Sequence, residues 1–91
     1  MMSENEVQTR LGKLSGWQYD GVCIHRSFVF RDFSEAFAFL TRVALISEKL
    51  NHHPDWSGVY NRVSLKLRTH DAGGITEKDF NFAGEVDALS G

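Results

Sequence analysis

Pro54, the only proline in the chain, closes the longest stretch of helical periodicity in the sequence. In "EAFAFLTRVALISEKLN", Ala36, Phe37, Leu40, Val43, Ala44, Ser47 and Leu50 recur at the spacing of an amphipathic helix. Asp32 or Ser34 can cap its start. Pro54 lacks an amide hydrogen and disfavours the α conformation in the residue before it, so the helix is expected to end between Asn51 and His53. Ala36, Phe39 and Ile46 widen the apolar band beyond what one sheet face would cover, which points to a second packing partner and to oligomerisation.

The segments around this rod have other periods. In "ENEVQTRLGKL", Val7, Leu11 and Leu14 mark a short helix, and Gly16 lets the chain turn. A short strand is expected over Trp17–Tyr19, a turn at Asp20-Gly21, and a longer strand with Val22, Ile24, Phe28 and Phe30 on one face, where Arg26 interrupts the pattern near an edge. After Pro54 comes a short strand, a turn near Tyr60–Arg62, and a strand whose Val63, Leu65 and Leu67 alternate with Ser64, Lys66 and Arg68, giving one dry and one wet face. "DAGG" reads as a loop. "TEKDFNFAGEVDAL" reads as a closing helix with a capping-box-like pair, Thr76 and Asp79, and an inner stripe of Phe80, Ala83, Val86 and Leu89. No repeat or linker divides residues 1–91, so the expectation is one α+β domain: a four-stranded antiparallel sheet with three helices on one face, in the order α-β-β-α-β-β-α.

Charge and cysteine content narrow the function. A net charge of −2 gives no basic footprint for direct nucleic-acid binding. Cys23 is the only cysteine, so an internal disulfide is excluded and a reducing compartment fits. With no secretory pattern in "MMSENEVQTR" and no apolar run of membrane-spanning length, a cytoplasmic protein without membrane contact is expected.

Three of the four histidines, His52, His53 and His70, fall at element ends or in loops, where sites are usually built. His25, on a polar strand position, reads as solvated. Adjacent helical residues diverge by about 100°, so His52 and His53 address one point only if the helix end unwinds, as Pro54 favours. Asp71 stands beside His70, where it can orient the ring, and Glu48, four residues before His52, shares its helical face. Imidazoles flanked by carboxylates suit proton transfer, because the ordinary histidine pKa is roughly 6.5. A zinc site built from these histidines and a carboxylate is an alternative, although adjacent histidines lack the i, i+4 spacing that presents two ligands together. A third reading is structural: helix-end histidines favour the macrodipole, Asp79 is only a cap, and Trp56 and Tyr60 are core or hairpin residues.

The run "EKLNHHPDWSGVYNRVSLKLRTHDAGGITEKDF" strongly resembles the pterin-4a-carbinolamine dehydratases, a family that also contains the dimerisation cofactor of a homeodomain transcription factor. Glu48, His52-His53-Pro54, Tyr60, His70 and Asp79 match the family pattern without a gap, and the similarity extends upstream through "GW" and the long helix. The resemblance implies dehydration of 4a-hydroxytetrahydrobiopterin to quinonoid dihydrobiopterin, which recycles the pterin after aromatic amino acid hydroxylation. It implies no metal and no cofactor, the pterin being the substrate. It also implies catalytic roles for His52, His53 and His70, with His52 and His70 as the acid-base pair and His53 mainly positioning the ring. Glu48, Asp79 and Trp17 would be substrate-binding residues. The family further implies homodimers joined sheet edge to sheet edge and homotetramers built through the long helix. The alternative function is a non-catalytic dimerisation cofactor or coactivator that binds a transcription factor through that helix, with a nuclear as well as a cytoplasmic location.

Overall fold

In the computed structural model, which describes residues 1–90, the element order is the expected one with a short 3-10 turn added. The elements are α1 (Glu4–Leu11), β1 (Gln18–Tyr19), β2 (Ile24–Val29), α2 (Phe33–Leu50), β3 (Asp55–Val59), β4 (Arg62–Leu67), the turn His70–Ala72 within the expected "DAGG" loop, and α3 (Glu77–Ser90). The strands form one antiparallel sheet in the order β1-β2-β4-β3. In β4, Val63, Leu65 and Leu67 are buried while Arg62 and Lys66 face solvent. The alternation read from the sequence is therefore the boundary between the helix-covered face and the open face.

α2 begins at Asp32, whose Oδ1 accepts from the Glu35 amide at 2.9 Å, so Asp32 rather than Ser34 is the cap. The face that α2 buries differs from the expected stripe. Ala36, Phe39, Val43, Ile46 and Ser47 are buried, whereas Phe37 and Ala44 are exposed. Apolar residues cover more than half the helix circumference, so periodicity reveals a helix without fixing its rotation. The covered side is set by the rings of Phe28 and Phe30, which pack on Phe39 with centroids 4.7 and 4.9 Å away. Trp56 and Tyr60 are both exposed rather than core residues, with Tyr60 in the β3–β4 turn at a φ of 50°. His25 is half-buried on the open sheet face.

The expected strand boundaries near the N-terminus shift for a local reason. The Asp20 carboxylate accepts from the amides of Val22 and Cys23 at 2.9 and 2.7 Å, so the turn persists to Cys23 and leaves Val22 exposed. Arg26 lies just beyond the last β1–β2 pair, Gln18 with His25, on the helix-covered face. It pairs with Asp87 of α3 at 2.7 Å and lies over the Phe28 ring at 4.5 Å, which explains a cation on an otherwise apolar face. Gly16, at a φ of +86°, packs against this guanidinium, and an added Cβ would meet Arg26 Nε at 2.8 Å. Gly16→Ala should therefore cost about 1–2 kcal/mol in urea denaturation. At the C-terminal end, α3 buries Phe82 completely in addition to Phe80, Ala83 and Val86 of the expected stripe, while Leu89 is only half-buried.

Candidate active site

The paired histidines are separated by how α2 ends. Asn51 adopts the left-handed conformation (φ 49°, ψ 46°), and the His52 amide returns to the Ser47 carbonyl at 3.1 Å. With the Asn51 amide, which returns to the Glu48 carbonyl at 3.4 Å, this bond satisfies carbonyls of the last turn and throws the chain off the helix axis before Pro54 is reached. One consequence corrects the sequence reading. Glu48 does not share a face with His52; it meets His53 instead, Oε1 to Nε2 at 3.2 Å, because the i, i+4 relation holds only while the helix continues.

The two rings face different surroundings. His52 is 10% exposed and Asp79 fully buried, and His52 Nε2 lies 2.6 Å from Asp79 Oδ1. Phe82 presents its ring edgewise to His52 at 6.2 Å. His53 and Glu48 are largely exposed. They stand, with Pro54, at one end of a groove of about 420 Å³ between α2 and β3, whose apolar walls include Leu40, Ala44 and Trp56.

Asp79 combines the two roles the sequence offered for it. Its Oδ2 accepts from the Thr76 amide at 3.0 Å, one half of a capping box at the start of α3. The same oxygen accepts from the Thr69 hydroxyl at 2.9 Å. Thr69, buried and bridged antiparallel to Gly74, sits immediately before His70. His70 opens the 3-10 turn with its side chain exposed, so Thr69 ties the His70 turn to the His52–Asp79 pair. Asp71 is exposed beside it, and among the described residues no hydrogen bond or ion pair joins Asp71 to His70.

Trp17 stands apart. It is buried against Phe28, and its Nε1 donates to Asp87 Oδ1 at 2.8 Å. Asp87 is two turns beyond Asp79 on α3, about 12 Å along the axis. Trp17 thus braces the far end of the helix that carries Asp79. Among the described residues no three His, Cys, Asp or Glu side chains gather as a metal would require; His52 and His53 instead pair separately with Asp79 and Glu48. Thr69 was not legible as a site residue, since its only sequence signal is its place beside His70. Burial raises the Cys23 thiol above its ordinary range, with the nearby Asp20 carboxylate acting in the same direction.

A family model described as pterin 4 alpha carbinolamine dehydratase matches residues 1–89. The chain belongs to this family. A curated relative from Solibacter usitatus is 49% identical over 89 residues, spanning 98% of this chain and 94% of its own length. One from Mesorhizobium japonicum is 51% identical over 92 residues, spanning 99% and 94%. Both are provisionally named pterin-4-alpha-carbinolamine dehydratases. A solved structure described as a transcriptional coactivator/pterin dehydratase from Brucella melitensis superposes with a TM-score of 0.94 at 47% identity, over 99% of this chain and 98% of that one. A pterin dehydratase-like protein, described as a RuBisCO assembly factor in the alpha-carboxysome, superposes at 0.72 with 28% identity, over 84% and 90%. This fold of the dehydratase family thus matches the expected α+β architecture. Among the described residues no helix is long and apolar enough to cross a membrane.

Proposed function

We propose that this chain removes water from 4a-hydroxytetrahydrobiopterin to give quinonoid dihydrobiopterin, using histidine side chains as acid and base. Its class, a hydro-lyase, follows from the family. In the reaction the C4a–O bond breaks as an acid protonates the departing hydroxyl. N5 gives its proton to a base, and the C4a=N5 double bond forms. One proton is delivered and one removed, so two imidazoles suffice and no redox partner is needed.

The observation that carries this reading is the buried His52–Asp79 pair. A ring that donates Nε2–H to a carboxylate keeps its lone pair on Nδ1, which suits His52 to the role of base at N5. His70, exposed and able to exchange protons with water, supplies the acid. His53 and Glu48, at the groove end, bind and position the heterocycle, and Trp17 contributes by bracing α3. Stopped-flow decay of the 4a-carbinolamine should accelerate when the protein is added, and a chelator should leave that acceleration unchanged. Decay at the uncatalysed rate would overturn the reading, and loss of activity on chelation would overturn the metal-free mechanism. Recycling of the pterin after aromatic amino acid hydroxylation is the setting this activity fits.

A second role, binding protein partners, is favoured by the uncovered side of α2, where Phe33, Phe37 and Leu45 are 57, 56 and 67% exposed. Relatives of the same fold are described as a coactivator and an assembly factor. The same side of α2, and the exposed edge strand β3, suit homodimers and homotetramers. Leu45→Glu should shift the light-scattering mass at micromolar concentration toward a smaller species while the dehydration rate per chain is retained. A native protein that is strictly monomeric would count against this role. A cytoplasmic location fits the enzyme, and a nuclear one the coactivator.

A further inference from the structure

Among the described residues, the polar cluster behind His52 has hydrogen bonds that can be accounted for completely. Asp79 as a carboxylate only accepts, so the hydrogen in its 2.9 Å contact with Thr69 comes from the Thr69 hydroxyl. That hydroxyl has no second hydrogen. The 2.6 Å contact between Thr69 and Thr76 is therefore donated by Thr76, whose oxygen accepts from the Lys78 amide at 3.3 Å. The direction of every link is set: Lys78 amide to Thr76 hydroxyl, Thr76 hydroxyl to Thr69, Thr69 hydroxyl and Thr76 amide to Asp79 Oδ2, and His52 Nε2–H to Asp79 Oδ1. No polar side-chain atom buried among the described residues lacks a partner.

We propose that Thr69 is a positioning residue for dehydration: its hydroxyl holds the Asp79 carboxylate in the orientation that keeps the His52 proton on Nε2 and the lone pair on Nδ1. The inference rests on His52 being the base. Thr69 does so from the bridge to Gly74 that also launches His70, so one side chain sets the relation between the two imidazole-bearing segments. Without the Thr69 hydroxyl, the Thr76 amide is the one donor left on Oδ2, and only His52 itself opposes a turn of the carboxylate about that bond. A swung carboxylate no longer discriminates between the two neutral forms of the ring.

The test pairs a tautomer measurement with kinetics. Nitrogen-15 NMR of the four imidazoles, recorded at alkaline pH, should show His52 as the Nε2–H form in the native protein. Thr69→Val should bring in a substantial Nδ1–H population. It should also lower kcat by about 10- to 100-fold, the span of a hydrogen bond to a charged group, with KM little changed. Thr69→Ser should restore both. Thr76→Val, which removes only the outer link, should shift the tautomers less and in the same direction, and decides the matter if Thr69→Val is too unstable to study. Unchanged His52 tautomers in both valine variants, or a serine variant that restores neither property, would overturn the proposal. The tautomer readout does not depend on turnover. A protein that shifts tautomers as stated yet fails to speed carbinolamine decay would sink the dehydratase reading and leave the positioning role intact.

Discussion

His52→Ala is expected to lower the dehydration rate by about 10²- to 10⁴-fold, the range spanned by loss of a general acid or base. His70→Ala should cost a comparable factor. The two variants should part company in stability. His52 is nearly enclosed and satisfies one oxygen of a fully buried carboxylate, so its removal leaves Asp79 Oδ1 without its partner. Leaving such a group unsatisfied costs about 1–3 kcal/mol, more when the group is charged. His70 stands in solvent at the head of a short turn, and its truncation should change stability by no more than about 0.5 kcal/mol. Single-turnover rates and urea denaturation of both variants would separate the two effects. Full activity in the double variant would sink the assignment of both histidines.

Asp79→Ala should have the largest effect on the fold of any change at the site. Three donors converge on this carboxylate: His52 Nε2, the Thr69 hydroxyl and the Thr76 amide. Alanine leaves them facing a small apolar void. Each buried donor left unsatisfied costs about 1–3 kcal/mol, and alanine strands all three. Against the roughly 5–15 kcal/mol of a whole domain this is a large share, so the variant should unfold at far lower urea and lose dehydration as well. Asp79→Asn should fall between, because an amide has one oxygen and must turn its NH2 toward at least one of the donors. An Asp79→Ala protein as stable as the native one would contradict the geometry.

Much of this arrangement was legible in the sequence because its causes are local. The Asp32 cap, the end of α2 before Pro54, the alternation of Val63, Leu65 and Leu67, and the Thr76–Asp79 pairing each depend on residues within a few positions of one another. The order of elements and the one-sided sheet followed from them. What escaped depends on contacts across the chain. The His52–Asp79 bond joins residues 27 apart, and Trp17 reaches Asp87 over 70. The rotation of α2 was ambiguous because apolar side chains lie on both of its sides, and contacts such as those of Phe28 and Phe30 with Phe39 decide which is covered. Glu48 was assigned to the wrong histidine because helical spacing was carried one residue past the left-handed Asn51. One local signal went unread: Ser3 and Glu6 form a full capping box at the start of α1.

The carboxylate that stops α3 from fraying through one oxygen holds His52 through the other. Assembly of the site and closure of that helix are therefore one event in folding, and a partly folded chain lacking the first turn of α3 has no catalytic geometry to offer. The Thr76 amide, held by Asp79, makes this measurable. Its protection against hydrogen exchange reports local opening of the site directly, and the exchange rate at that single position should track the fraction of molecules momentarily unable to turn over.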